Sequence, residues 1–369
     1  MSDARLFLHI GLLKTGTSYL QTVMWQNVEE LHRQGLDMVP GSKRDTFHLM
    51  LKARDRYKPE VDPPEVATAL ERLPGQVAAA TSDRILITEE SLAPATPEQI
   101  EALLAACSAR EVHLIVTLRD LGRQIPSAWQ QTLQAGMSLT YRGYLRRLRR
   151  TEGELHNRYW SSKDVAAILD RWVQYVPAER IHLVLVPPPG APHEELLQRF
   201  CRVVGVDPER LDREVQRSNE SVGRVQAELL RRVNAALEPE FQARELYGDI
   251  GKRYFAVRVL GKQKGERIRV PRELEEWTRE VSQRYVDAIA AGGYQVEGDL
   301  DDLLPRDEAF TDEGKVSHKQ VAEAAVAALA RMLSDDMVKL RSRKKKARAR
   351  RGTPTGMLRR AFGSARRLG

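Results

Sequence analysis

Four short apolar runs, at residues 6–10, 85–88, 112–118 and 181–186, most constrain what this chain can become. Each is too short for a packed helix and is rich in Leu, Ile and Val. Between them lie helical patterns of roughly 12–18 residues, including 64–80, 96–110, 139–150 and 164–175, with a further one at 192–204. Strands that are apolar on both faces and alternate with helices predict a parallel sheet covered on both sides. The expected class is therefore α/β, a three-layer α/β/α sandwich with a central parallel sheet and further helices toward the C-terminus. Ligands of such sheets sit at the carboxyl ends of the strands, where right-handed crossovers diverge. A length of 369 residues suffices for a large core, and no apolar run approaches the ~20 residues that span a bilayer. The two cysteines, Cys107 and Cys201, lie in apolar helical patterns and offer neither a disulfide framework nor a metal set, so no metal is expected.

The first run leads into Gly11-Leu12-Leu13-Lys14-Thr15-Gly16-Thr17-Ser18, and then into a helical pattern with Leu20, Val23, Met24, Val28 and Leu31 on one face. A strand, a tight turn and a helix start make an anion cradle, because the first helical N–H groups lack intrahelical partners at the positive end of the dipole. The same hydroxyls could instead cap the helix. Lys14 precedes Gly16, so this is not the nucleotide loop G-x-x-x-x-G-K-[ST].

With Gly11, Lys14, Thr15, Gly16, Thr17 and Ser18 in this order, the stretch resembles the P-loop-like 5′-phosphosulfate loop of sulfotransferases that use 3′-phosphoadenosine 5′-phosphosulfate (PAPS). Leu13 stands where the bacterial branch usually has Pro, a change of turn stiffness more than of chemistry. The strand at 112–118 ends in Arg119-Asp120, and Ser127 follows eight residues after Arg119. This pattern resembles the family's 3′-phosphate element and implies that Arg119 and Ser127 grip that phosphate. A guanidinium fork and a hydroxyl suit a phosphate. The competing reading pairs Arg119 with Asp120 or a surface carboxylate and makes Ser127 a turn cap.

Thr88-Glu89-Glu90-Ser91 closes the run at 85–88 and is similar to the family's triplet at a strand end. The resemblance implies Glu90 as the group that takes the acceptor's proton. The alternatives are an ordinary acidic helix start and His48, since imidazole is a side-chain type suited to proton transfer near neutral pH. His9 reads as a packed strand residue. Arg217, before Ser218-Asn219-Glu220-Ser221, is a further cofactor candidate, with Asn219 or Ser221 expected as a helix cap. The cofactor-binding set is thus Lys14, Thr15, Gly16, Thr17, Ser18, Arg119, Ser127 and Arg217. The catalytic set is Lys14, Glu90 and His48.

The family implies sulfuryl transfer from PAPS to a hydroxyl, less readily an amine, of a carbohydrate, glycolipid or small metabolite, leaving adenosine 3′,5′-bisphosphate. Two rivals stay open. A kinase-like phosphotransferase would share the strand-loop-helix, and a non-enzymatic membrane or nucleic-acid adaptor would use the basic tail. From 339 onward the sequence holds thirteen Lys and Arg and no acidic residue, so the net charge of +8 leaves residues 1–338 at −5. The basicity is a tail, and no specific nucleic-acid partner is expected.

Within that tail Met357, Leu358, Ala361, Phe362, Ala365 and Leu368 fall near one helical face, the pattern of a basic amphipathic helix that lies on anionic membrane. By chain order, 1–240 reads as the PAPS-binding core, 241–338 as a helical extension and acceptor-side lid, and 339–369 as a flexible tail. The strand pattern begins at Arg5, which leaves no room for a signal peptide, and the reducing usage of cysteine points to the cytoplasm, with peripheral contact at the inner membrane face.

Overall fold

The structure is a computed structural model that describes residues 4–154, 157, 159–215, 221–242 and 246–351. The chain divides into two compact units. The first comprises 1–131, 139–217 and 268–313; the second comprises 132–138, 218–267 and 314–369.

The first unit is built on a six-stranded parallel sheet. Its strands are β1 (Arg5–His9), β2 (Leu36–Met38), β3 (Arg84–Thr88), β4 (Glu111–Leu118), β5 (Ile181–Leu185) and β7 (Gln295–Glu297), in the spatial order β2-β3-β1-β4-β5-β7. The four expected runs are the four central strands. The edge strand β7 comes from 268–313, which the chain-order reading placed in the helical extension; its residues belong with the sheet. A short parallel pair, β6 (Val270–Pro271) with β8 (Phe310–Thr311), lies in the same segment. Strand order reverses at β1, since β3 flanks it on one side and β4 on the other. The crevice of an open α/β sheet opens at such a switch point.

Both faces of the central strands are buried. On one, Phe7, Leu86, Ile115 and Val184 pack against Leu20, Val23 and Met24 of α1 (Thr17–Gln26), Leu31 of α2 (Val28–Arg33), and Leu196, Leu197 and Phe200 of a helix at Glu195–Val204. Leu6, Leu8, Ile85, Ile87 and Leu114 face the other way and are equally enclosed. At ~25 cal/mol per Å² of apolar area, such closure on both sides is the dominant favourable term of this unit. The helix after β1 is interrupted at Asn27, whose side-chain amide donates to the Val23 carbonyl (2.8 Å) and the Asp212 carbonyl (2.8 Å). The break turns Val28 outward to 38% exposure, so it leaves the apolar face expected of it.

Helix α3 (Lys43–Ala53), capped by Ser42, packs against the turn Glu90–Leu92. Helix α4 spans Ala69–Ala79, and α5 (Pro97–Ala106) starts on a Thr96/Gln99 capping box. Helix α6 (Leu121–Gln134) follows β4, and α7 (Tyr141–Arg150) exposes Arg142, Arg146, Arg147, Arg149 and Arg150, the solvated face of a basic helix. Trp160 is core: it is 1% exposed and donates from Nε1 to the Leu148 carbonyl (2.6 Å). Cys107 and Cys201 are buried free thiols.

In the second unit, a helix at Arg224–Ala236 packs along a long helix at His318–Arg351. The N-cap residue of the first of these is Gly223, two positions after Ser221. Arg217 and Asn219 lie outside the described residues, as does the amphipathic segment 357–368. The stretch 339–351, expected as flexible tail, continues the helix, in keeping with its Lys, Arg and Ala content. Among the described residues no helix is long and apolar enough to cross a membrane.

Candidate functional site at the carboxyl end of the sheet

The loop after β1 stays tied to β4 beyond the strand's end: Ile10 N–H donates to the Ile115 carbonyl (3.0 Å) and Leu12 N–H to the Thr117 carbonyl (2.9 Å). Three of its residues are left-handed, Gly11 (φ 66°), Lys14 (φ 68°) and Gly16 (φ 86°). For Lys14 that conformation costs on the order of 1 kcal/mol, and two side chains hold it in place. Gln124 of α6 donates to the Leu13 carbonyl (3.0 Å), and Arg119 at the end of β4 donates to the Lys14 carbonyl (3.1 Å). The stiffness that Pro would supply at position 13 is here supplied by hydrogen bonds from β4 and α6. Arg119 therefore joins the two sequence motifs, which the chain separates by about a hundred residues, at one loop.

Helix α1 begins at Thr17 with Gly16 as its N-cap. It has no side-chain cap and no acidic residue in its first turn. The hydroxyls that could have capped it are turned to other uses or to solvent. Thr15 Oγ1 donates to the Leu12 carbonyl (2.6 Å), Thr17 is buried, and Ser18 is exposed. The simple-cap reading of this turn thus fails, and the helix start presents its N–H groups and positive dipole end to whatever lies above the loop.

Beneath the loop runs a directional hydrogen-bond chain. Since the Thr15 hydroxyl proton goes to Leu12, Thr15 Oγ1 accepts from Thr117 (2.6 Å). Thr117 Oγ1 then accepts from His9 Nε2–H (3.4 Å), which leaves Nδ1 to accept from the Thr88 hydroxyl (2.8 Å). His9 is fully enclosed, with the Phe200 ring 5.0 Å away edge-on, and burial lowers its pKa to about 3. It is a neutral structural link between β1, β3 and β4, as its strand position suggested.

The β3 end brings two carboxylates to the same place. Glu90 packs on Gly11, where any Cβ would run into Glu90 Cβ and Thr17 Cγ2, and its Oε2 accepts from Gln21 Nε2 of α1 (2.6 Å). Glu89 N–H donates to the His9 carbonyl (2.9 Å), and Glu89 Oε1 accepts from Ser91 N–H (3.1 Å). Burial first, and the adjacent Glu90 second, raise the Glu89 pKa to about 7. His48, on α3, is 5% exposed, and its Nδ1 has no hydrogen-bond partner among the described residues.

At the β4 end, Asp120 pairs with Arg123, which also donates to the Pro187 carbonyl (2.8 Å). Ser127 sits in the second turn of α6 and donates to the Arg123 carbonyl (2.9 Å), the ordinary back-bond of a helical serine. The loop residues, Arg119 and Glu90 thus come together, whereas Ser127 occupies a helical position with its hydroxyl engaged.

Sequence reasoning missed Glu89 as a perturbed carboxyl, Gln21 as the clamp on Glu90, and Gln124 as the brace of the loop. Gln124 is 1% exposed and its Oε1 lacks a partner among the described residues. Only for Gln21, one helical turn after Thr17, did a sequence signal exist.

No protein-family model and no curated protein matches this chain. Among solved structures it is similar to a sulfotransferase from Alicyclobacillus acidocaldarius, with 16% identity and a TM-score of 0.39 over 57% of this chain and 85% of that one.

Proposed function

We propose that the chain is a PAPS-dependent sulfotransferase acting on a hydroxyl acceptor. The observation that carries the reading is the uncapped start of α1 behind a left-handed Lys14 loop at the sheet's switch point, with Arg119 bonded to that loop. The residues present fit a doubly phosphorylated nucleotide. The N–H groups of the turn and of α1, with Thr17 and Ser18, take the 5′-phosphate, and Thr15 anchors the turn from below. Arg119 supplies the fork for a second phosphate, with Ser127 and Arg217 as further candidates. The nucleotide supplies the activated sulfuryl group. Lys14 neutralises charge on the departing phosphate oxygen, a contribution that rises in the transition state. Glu90, oriented by Gln21 against Gly11, receives the acceptor's proton, and His48 is the rival for that role. Glu89 is the neighbour whose charge Glu90 has to share.

Calorimetric titration with adenosine 3′,5′-bisphosphate, adenosine 5′-monophosphate and ATP with magnesium tests this. Tight binding of the bisphosphate alone, lost in Arg119→Ala and weakened at least tenfold in Lys14→Ala, is the expected result. Preference for ATP with magnesium overturns it in favour of a phosphotransferase, and failure of all three nucleotides to bind overturns it in favour of an adaptor.

A further inference from the structure

The long helix at His318–Arg351 buries Val321, Ala324 and Ala328, the face that packs within the second unit. Opposite that face lies a second apolar stripe. Val326, Leu329, Leu333, Met337 and Leu340 recur at intervals of three and four residues and are each 52–67% exposed. With Ala322 and Ala330 they fall within about 100° of arc, over some 28 Å of helix. A stripe of large apolar side chains this continuous has an occupant.

Charge identifies it. Asp336, at the stripe's margin, pairs with Lys339 (2.9 Å), and Asp335, toward the buried side of the helix, pairs with Arg258 (3.7 Å) and Arg331 (3.2 Å), which leaves exposed Glu323 as the acid beside the stripe's N-terminal end. Beyond them the sequence carries Lys339, Arg341, Arg343, Lys344, Lys345, Lys346, Arg348, Arg350 and Arg351 without one acid. A second copy docked in parallel would set these two basic runs side by side, and the repulsion would oppose the contact. A nucleic acid would neutralise the run but leave the stripe in water. An anionic bilayer surface satisfies both at once, with the stripe in the headgroup–acyl boundary and the basic run over the lipid phosphates. We propose that the apolar stripe Val326–Leu340 and the basic run that continues it form a docking element for an anionic lipid surface, lying on the bilayer and not spanning it. This inference stands apart from the proposed reaction.

The test is flotation of the full-length protein with vesicles of phosphatidylcholine alone and of phosphatidylcholine with one-quarter phosphatidylglycerol. Binding to the anionic vesicles only, weakened by salt and lowered roughly tenfold or more by the double change Leu329→Glu and Leu333→Glu, is expected. Both positions are exposed, so the thermal midpoint should not move. Leu329→Ser with Leu333→Ser is a milder pair that should lower binding in the same direction. Wild-type binding by both double variants overturns the proposal, as does failure of the wild type to bind either vesicle. A dimer in sedimentation equilibrium that Leu333→Glu dissociates, with no vesicle binding, overturns it in favour of a second copy. Oligonucleotide binding that both double variants retain, without vesicle binding, overturns it in favour of nucleic acid.

Discussion

His9 links three strands only as a neutral imidazole, because its two nitrogens serve one donor and one acceptor and no water reaches it. Its folded pKa of about 3 lies below the ordinary 6.5. The unfolded chain therefore binds the extra proton between these values, and stability is present above pH 6.5 and lost as pH falls toward 3. The slope for one such group is at most ~1.4 kcal/mol per pH unit. His182, lowered to about 4 by burial and by His113, acts in the same window. Thermal unfolding followed from pH 7.5 to 4 should show this loss, and His9→Gln should flatten it at the cost of a lower midpoint.

Glu89 works in the opposite sense. Its folded pKa is raised to about 7, so the folded state holds the proton more tightly and Glu89 costs stability as pH rises from the ordinary carboxylate value through 7. Glu89→Gln should therefore be neutral or stabilising at pH 8. If Glu90 is the proton acceptor, Glu90→Gln should lower sulfuryl transfer by ~100-fold or more, while Glu89→Gln should chiefly move the pH profile. Equal losses of kcat in both variants would count against that assignment.

At the scale of elements, the informative piece is α1. With Gly16 as its N-cap it forgoes a capping side chain at a cost of only a few tenths of a kcal/mol, and the helix start stays open to an anion. Ser18→Asp should therefore raise the unfolding midpoint slightly through the helix dipole and at the same time abolish bisphosphate binding by repulsion. A variant that gains stability and keeps binding would remove the helix start from the site. Gly11→Ala meets Glu90 and Thr17 and also forces an L side chain into a positive φ. It should cost more than ~1 kcal/mol, readable as a lower midpoint in thermal denaturation, and should disturb the Glu90 position that Gln21 holds.

At the scale of the molecule, charge and chemistry are segregated. The sheet unit carries the loop, Arg119 and the two carboxylates, whereas the basic run continues the long helix of the second unit. Ending the chain at residue 338 should leave bisphosphate affinity within about twofold in a calorimetric titration, because the bonds that brace the loop come from β4, Arg119 and Gln124, all within the sheet unit's 1–131 segment. A large loss would mean that the tail takes part in nucleotide binding.

The central strands were legible from local pattern alone, since a strand buried on both faces has to be apolar throughout, whatever its neighbours. So was the strand-loop-helix with Lys14, because glycines at 11 and 16 permit the positive φ angles that the turn requires. Local pattern could not tell that 268–313 returns to the sheet as an edge strand, because β7 is three residues long and pairs on one side only. Nor could it turn Val28 outward, which follows from the bonds Asn27 makes to Asp212, far along the chain. The bracing of the loop by Arg119 and Gln124, the proton order through His9, and the raised pKa of Glu89 are products of proximity and desolvation. They exist only once strands distant in sequence stand 5 Å apart in a parallel sheet and exclude water between them.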